Sequence, residues 1–117
     1  MTNEKRAATA FICGNMNRAI AGTRLYDYSQ GKLLPYSVDK QNDTINVYDF
    51  NRSSYLNGNN SMIYDYASQS YIQIIYNENT FSGYDFESES SFSGSYNNDV
   101  ITIYDYQYGK HFNYCIY

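Results

Sequence analysis

The 117-residue chain is long enough for one domain with a single modest core and too short for two. It contains 43% hydrophobic residues, but 16 tyrosines and a mean hydropathy of −0.63 exclude a large dry aliphatic core and favour a thin, tyrosine-lined β-structure. Residues 1–40 contain six basic and three acidic residues, whereas residues 41–117 contain two and nine, and this acidic majority argues against a nucleic-acid partner.

The first predicted element is a helix over residues 4–21. Asn3 is the candidate N-cap and Gly22 the candidate stop, while Gly14 leaves an irregular arm or an extra strand as the alternative. Apolar residues recur at every fourth position on one face: Ala8, Ile12, Met16 and Ile20. We therefore treat residues 1–22 as an N-terminal helix or arm and residues 23–117 as the β-repeat domain.

Polar residues in the N-terminal stretch interrupt the apolar segment that an export signal requires. No apolar run approaches the roughly 18 residues of a transmembrane helix. We therefore expect a cytoplasmic protein with no membrane partner, and secretion is the alternative.

The region from residue 23 to residue 117 predicts five β-hairpins. Tyr-Asp followed by Tyr or Phe occurs five times, at spacings of 22, 16, 20 and 20 residues: Tyr26-Asp27-Tyr28, Tyr48-Asp49-Phe50, Tyr64-Asp65-Tyr66, Tyr84-Asp85-Phe86 and Tyr104-Asp105-Tyr106. Two positions before the aspartate lie Leu25, Val47, Ile63, Gly83 and Ile103, and seven after it lie Leu34, Leu56, Ile72, Phe92 and Phe112. Turn-forming residues separate these apolar positions, so each unit is predicted to be strand, turn, strand.

This pattern predicts an all-β fold in which five hairpins are arranged radially in a small closed or nearly closed structure. An open sheet of this composition would expose long adhesive edges, which favours closure. Pro35 is the sole proline and lies in a second arm, which predicts an edge strand or a bulge there.

The repeated aspartates are predicted to cap their turns. An aspartate that enters a turn accepts hydrogen bonds from turn amides, and the flanking aromatic residues then lie on the opposite face. The five candidates are Asp27, Asp49, Asp65, Asp85 and Asp105. A polar ring that holds a cation or sugar hydroxyls is the alternative. No metal-binding or phosphate-binding motif occurs, and we expect no cofactor and no metal.

Two units carry a resemblance to a known family. The segment Tyr26-Asp27-Tyr28-Ser29-Gln30-Gly31-Lys32-Leu33 resembles the YD repeat of bacterial Rhs and teneurin-type proteins, and residues 104–110 repeat its Gly-Lys spacing. The three middle units lack this glycine. The resemblance implies stacked β-hairpins, although five units are too few for the large shell of that family. The chain is also similar, over residues 23–117, to small standalone β-flower proteins built from YD-like hairpins. Neither likeness implies an active site.

Candidate catalytic groups are few. His111 is the only histidine, and Cys13 is the one nucleophile that could be matched with it, without supporting spacing. Glu87 and Glu89 lie in a serine-rich turn and are expected to be solvated. Cys13 and Cys115 lie far apart in the sequence, and free thiols are favoured over a disulfide. We therefore expect no enzymatic activity.

The tyrosines are the candidate functional residues. A chain of this size has more rings than its core can bury, and exposed tyrosines suit glycan, peptide or protein partners. The candidates outside the repeated core positions are Tyr55, Tyr71 and Tyr108 with His111, followed by the repeat tyrosines Tyr48, Tyr64, Tyr84 and Tyr104. The predicted function is a binding module, and the alternative is a homo-oligomer that assembles through the same tyrosines.

Overall fold

The computed structural model describes residues 1–117 and contains one α-helix and ten β-strands. Helix α1 spans Asn3–Arg18. The strands are β1 (Arg24–Asp27), β2 (Lys32–Gln41), β3 (Thr44–Asp49), β4 (Ser54–Asn59), β5 (Met62–Asp65), β6 (Ser70–Tyr76), β7 (Thr80–Asp85), β8 (Ser90–Asn97), β9 (Val100–Asp105) and β10 (Lys110–Ile116).

The ten strands form a closed antiparallel barrel. Each strand pairs with its neighbours in sequence, and β1 closes the barrel against β10, where Asp27 lies opposite Tyr114. The predicted closed, mostly β structure with a short N-terminal helix is therefore confirmed. Because closure leaves no edge, the edge strand that was one of the two alternatives predicted at Pro35 was wrong. Pro35 lies opposite Arg24, at the point where the pairing of β2 passes from β1 to β3.

Five connections are four-residue turns at the same end of the barrel, which we call the aspartate end. In the first of them Asp27 pairs with Lys32, and the other four repeat aspartates pair in the same way with the residue five positions on. The fourth turn residue has a positive φ of 50° to 64° in every case: Gly31, Ser53, Gln69, Glu89 and Gly109. The turns therefore share one backbone shape, although only two contain glycine at that position.

The predicted N-terminal helix is present but has different ends. Thr2, and not Asn3, is the N-cap, and its hydroxyl accepts a hydrogen bond from the Lys5 amide at 3.2 Å. The helix ends at Arg18 and not at residue 21, because Ala19 adopts a left-handed conformation with a φ of 51°.

Helix α1 lies inside the barrel. Residues 5–15 are buried without interruption, so the helix has no solvent-facing side over this stretch. A barrel of about eight strands is narrow enough for side chains alone to fill, and a ten-stranded barrel is wider. Small residues let the helix fit: a Cβ at Gly14 would lie 2.6 Å from Cδ1 of Ile116 and 2.7 Å from Cδ1 of Ile101. The single apolar face suggested by the sequence is therefore part of a helix that is buried all round.

The barrel wall supplies the rest of the core from the predicted positions. Four of the residues two positions before the aspartates are fully buried: Leu25, Val47, Ile63 and Ile103. Opposite the aspartates of the adjoining strands lie Tyr36, Leu56, Ile72, Phe92 and Tyr114. The first and last units thus contribute the residue nine positions after their own aspartate, whereas the middle units contribute the seventh. This shift leaves Phe112 only partly buried and puts Tyr114 in the core.

Both cysteines are free thiols. Cys13 is buried in the middle of α1, and Cys115 lies on β10 between the buried residues Tyr114 and Ile116. Since side chains alternate along a strand, Cys115 faces outward while Cys13 is enclosed. The barrel wall therefore separates the two sulfur atoms.

Candidate functional site

Five buried aspartates form a ring inside the aspartate end of the barrel. Each ends an odd-numbered strand, and none is more than 1% exposed. Four of them accept hydrogen bonds from amides of their own turns: Ser29 and Gln30 donate to Asp27, Asn51 and Arg52 to Asp49, Glu87 and Ser88 to Asp85, and Gln107 to Asp105. Asp65 instead accepts from the Ser68 hydroxyl at 2.7 Å. The aspartates hold the turns in place. Because they are buried, a sugar hydroxyl in solvent cannot reach their carboxylates.

The start of the chain supplies cations to this ring. The Met1 amino group and Nε of Arg6 lie 3.1 Å and 3.0 Å from Oδ2 of Asp105, and Nζ of Lys5 lies 2.6 Å from Oδ1 of Asp85. Burial acts to raise the pKa of Asp85, but its bonds to Lys5 and to its own turn hold that pKa below the usual value. The N-terminal end of the helix dipole also favours nearby carboxylates. Electrostatics thus orient the helix within the barrel.

Arg52 supplies a further cation from the wall. Its Nε lies 2.8 Å from Oδ2 of Asp49, and its two terminal nitrogens donate to both carboxylate oxygens of Asp65 at 2.9 Å and 3.0 Å. Burial acts to lower the pKa of Arg52, and the two carboxylates outweigh it and raise that pKa. Asp27 has no cation partner, and it accepts from turn amides and from the Gln30 side chain at 2.7 Å.

The aspartate ring connects the helix to the barrel wall through ion pairs. Protein donors engage every one of its carboxylates, and no cluster of three or more histidine, cysteine, aspartate or glutamate side chains is arranged to hold a metal ion. Its chemistry is therefore that of satisfied buried ion pairs, which make removal of one partner strongly destabilising.

Some of the tyrosines are internal. The Tyr36 ring stacks on Phe11 with centroids 4.6 Å apart, and the hydroxyls of Tyr36, Tyr76 and Tyr114 are buried without a hydrogen-bond partner. Burial raises the pKa of each of these phenols, so all three stay neutral at physiological pH. These three tyrosines lie on the inner face of β2, β6 and β10, in alternation with apolar residues.

The outer wall at the aspartate end carries an aromatic belt. We define this belt as the paired rings Tyr26 and Tyr28, Tyr48 and Phe50, Tyr64 and Tyr66, Tyr84 and Phe86, and Tyr104 and Tyr106, together with Tyr55, Tyr71 and His111. In each pair the ring centroids lie 4.7–5.0 Å apart in edge-to-face geometry. The second ring of every pair is 48–59% exposed. The belt is therefore both ordered by ring contacts and open to a partner.

The structure brings most of the sequence-predicted site residues together in this belt. Tyr55 packs on Tyr48, Tyr71 on Tyr64 and His111 on Tyr104, with ring centroids 4.7–4.9 Å apart. Tyr55 and Tyr71 are 48% and 50% exposed.

Tyr108 lies apart from the belt. It is in the last turn, 53% exposed, with its ring centroid 5.3 Å from the guanidinium carbon of Arg6. It therefore lies over the helix and the aspartate ring, where it does not extend the belt.

The belt lacks a ring at position six of two units, at Leu33 and at Ser91, and only Ser91 is small and polar; neither was predicted from the sequence to be functional. Position six after the aspartate holds Leu33, Tyr55, Tyr71, Ser91 and His111 in successive units. Beside this serine lies a groove of about 710 Å³, which we call the serine groove: Ser82, Ser91 and Ser93 line it together with Tyr84 and Tyr106. A second recess of about 390 Å³ shares Ser82 and Ser93 with it and reaches Tyr104 and His111. The departure of Ser91 from the aromatic pattern is the signal by which the groove could have been found.

The one catalytic pairing considered in the sequence is not formed. Cys13 is buried in the helix, and His111 is exposed on the outer wall. Burial raises the pKa of the Cys13 thiol, which keeps the sulfur protonated and unreactive. Glu87 and Glu89 are both solvent-exposed as expected, and Oε1 of Glu87 lies 3.6 Å from Nζ of Lys5.

No known protein family, curated protein or solved structure matches this chain. No helix of the structure has the length and apolar character needed to cross a membrane.

Proposed function

We propose that the protein is a non-enzymatic binding module that presents its aromatic belt to a partner, and that a glycan fits this belt better than a peptide or a protein surface. The observation that carries the proposal is the set of ordered, half-exposed rings on the outer wall. Tyrosine offers a flat apolar face and one polar tip, and that combination suits the apolar faces and hydroxyls of a sugar. Exposed aromatic clusters of this extent are unusual on a protein surface that has no partner.

Preorganisation supports the proposal. Tyr48 and Tyr64 each contact two further rings, so their orientations are fixed before a ligand arrives. A ligand that meets fixed rings loses less side-chain entropy on binding than one that must order them. The rings are mounted on strands of a closed barrel, which is a rigid support.

We further propose that the five hairpins are radially arranged copies of one YD-type unit, as in the β-flower proteins that the sequence resembles. Support comes from the shared turn, with its aspartate, its four-residue length and its positive φ at the fourth residue.

We place the protein in the cytoplasm because both of its cysteines are free. Nucleic acid and membranes are not the partners that we propose.

Self-association through the belt is the second candidate function. The contiguity of exposed rings from Phe50 through Tyr55 and Tyr66 to Tyr71 favours it, because such a surface also suits a second copy of the chain. Sedimentation velocity over a hundredfold range of concentration separates the two candidates. A monomer throughout supports the binding module, and a stable multimer in which the tyrosines are hidden supports assembly.

The test of the binding proposal is a glycan array probed with the wild type and with the double variant Tyr55→Ser/Tyr71→Ser. We expect the wild type to bind a subset of glycans and the double variant to lose at least about tenfold in affinity, since two contacting rings are removed. The matched control is Tyr108→Ser, which removes a ring that is 53% exposed and lies apart from the belt. Equal affinity of the double variant and the control would overturn the proposed role of the belt.

A further inference from the structure

We propose that the serine groove is a binding subsite for a neutral oligosaccharide chain. This inference rests on the proposed glycan-binding function and assigns it to a place on the barrel. The floor is formed by Ser82, Ser91 and Ser93, and the aromatic residues Tyr84 and Tyr106 line the same groove. Its volume of about 710 Å³ lies within the roughly 300–1,000 Å³ that is usual for ligand sites.

A local exception in the repeat creates the groove. In the second and third units, Tyr48 and Tyr64 are each covered by the tyrosine of the facing strand, Tyr55 or Tyr71. In the fourth unit the facing residue is Ser91, and Phe86 supplies the one aromatic ring that packs against Tyr84. No ring of the facing strand therefore packs on Tyr84, and Tyr84 lines the groove instead.

The next unit supplies the other aromatic side of the groove. The Tyr106 amide donates to the Ser91 carbonyl oxygen at 3.2 Å, which fixes Tyr106 beside the serine. The corresponding amides of Tyr66 and Phe86 donate to the carbonyls of Tyr55 and Tyr71, where a ring fills the space above the wall. At Ser91 the same backbone geometry therefore leaves an open channel with a tyrosine on each side.

The polar groups of the floor suit hydroxyl-rich ligands. The hydroxyls of Ser82, Ser91 and Ser93 form no hydrogen bond within the protein, unlike those of Ser88 and Thr102, which bond to Asp85 and Asn113. Each free hydroxyl both donates and accepts, which matches the hydroxyls of a sugar. Gln73 adds an amide at the edge of the groove.

The absence of charge in the groove selects a neutral ligand. None of the ten lining residues is acidic or basic, although 17% of the chain is charged. A phosphate, a sulfated glycan or a uronic acid polymer would find no cation there to pair with its charge, whereas a neutral chain needs none. The adjoining recess, which reaches Tyr104 and His111, extends the channel and favours several sugar residues over one.

The test is a substitution that fills the serine groove with a tyrosine ring, which the fold already accommodates at the same position of other units. Ser91→Tyr introduces at the fourth unit the residue that the second and third units carry at this position, so the barrel is expected to fold normally. Leu33→Tyr makes the corresponding change in the first unit, away from the groove, and is the matched control. Circular dichroism and thermal unfolding check both variants for folding.

The binding assay is native affinity electrophoresis in gels that contain a neutral polysaccharide, with dextran, amylose and xyloglucan as probes and alginate as a charged comparison. We expect the wild type and Leu33→Tyr to be retarded equally by at least one neutral probe and not by alginate. Ser91→Tyr is expected to lose at least about tenfold in affinity, the equivalent of about 1.4 kcal/mol.

The remaining outcomes separate this inference from the proposed function. If Ser91→Tyr binds as the wild type does while Tyr55→Ser/Tyr71→Ser fails to bind, the groove assignment is overturned and the belt remains the binding surface. Preference for alginate overturns the neutral-ligand inference alone. If the wild type binds no probe here and no glycan on the array, the proposed function fails together with the inference.

Discussion

The fourth residue of each repeat turn adopts a left-handed backbone conformation, and the free-energy cost of that conformation can be measured directly by mutation. Ser53, Gln69 and Glu89 have φ values of 50° to 54°, in the left-handed region that disfavours residues with a Cβ. Their side chains are exposed and form no hydrogen bond, so replacement by glycine removes no contact. Gly31 and Gly109 adopt the same conformation in the first and last units.

We expect Gln69→Gly and Glu89→Gly each to raise the free energy of unfolding by about 0.5–1 kcal/mol. The left-handed conformation costs a residue with a Cβ about 1–2 kcal/mol. The greater freedom of glycine in the unfolded chain offsets about 0.5–1 kcal/mol of that gain. For a chain of this size, 1 kcal/mol corresponds to a shift of roughly 3–6 °C in Tm.

The reverse change provides the complementary measurement. Gly31→Ala and Gly109→Ala are expected to lower the free energy of unfolding by about 1 kcal/mol or more. A Cβ at either glycine would meet nothing closer than a tyrosine hydroxyl at 3.8 Å, so the loss comes from the backbone and not from a clash.

Urea unfolding followed by circular dichroism measures all of these variants. The control is Ala67→Gly, which lies two residues before Gln69 in the same turn and outside the positive-φ region. It should destabilise the protein by about 0.4–1 kcal/mol, because it adds freedom to the unfolded chain only. If Gln69→Gly lowers the urea midpoint as much as Ala67→Gly does, the strain assigned to the left-handed residue is absent.

Two further predictions concern the aspartate ring. Arg52→Met should destabilise the barrel by about 3–5 kcal/mol because it leaves two buried carboxylates without their cation, whereas Lys32→Met, at an exposed lysine without an ion pair, should change stability by less than about 0.5 kcal/mol in the same urea assay. Since the folded-state pKa of Asp85 is lowered, its stabilising contribution is present above the unfolded-state value of about 4 and is lost as the pH falls through the folded-state value. Urea titrations at pH 6 and pH 3 should therefore show a smaller acid loss of stability for Asp85→Asn than for the wild type, and equal losses would contradict the pairing with Lys5.

The barrel was predictable from local pattern, and the position of the helix was not. The spacing of the aspartates and the alternation of apolar residues define strands and turns over short distances, so their order follows from the sequence alone. The site of α1 depends on contacts such as Lys5 with Asp85 and Arg6 with Asp105, which join residues far apart in the chain. Two adjacent basic residues ordinarily indicate a solvent-exposed segment, but Lys5 and Arg6 are buried and paired with carboxylates.

A signal for the buried helix does exist in the sequence. Residues 7–13 contain no charged residue and only one polar residue, Thr9, so the segment is apolar on every side. A helix of that kind belongs in an interior. The expectation of one apolar face came from the period of four that begins at Ala8, which overlooks the apolar residues between its members, such as Ala7, Ala10 and Phe11. The outward positions of the aromatic residues followed from alternation, but the serine groove depends on one departure from the pattern.

In the repeated tripeptide, the aspartate on the inner face of the strand stabilises the fold, and the aromatic residues on the outer face form the belt. Because successive side chains point to opposite faces, the aspartate faces inward while the tyrosine before it and the ring after it face outward. The aspartate fixes the turn and the ring of ion pairs whatever the outer residues are. The sixth residue after it makes no contact with that ring, which explains why it differs in character between units: Leu33, Tyr55, Tyr71, Ser91 and His111. A barrel whose folding depends on its inner wall leaves the outer wall free to vary, and that is where we place recognition.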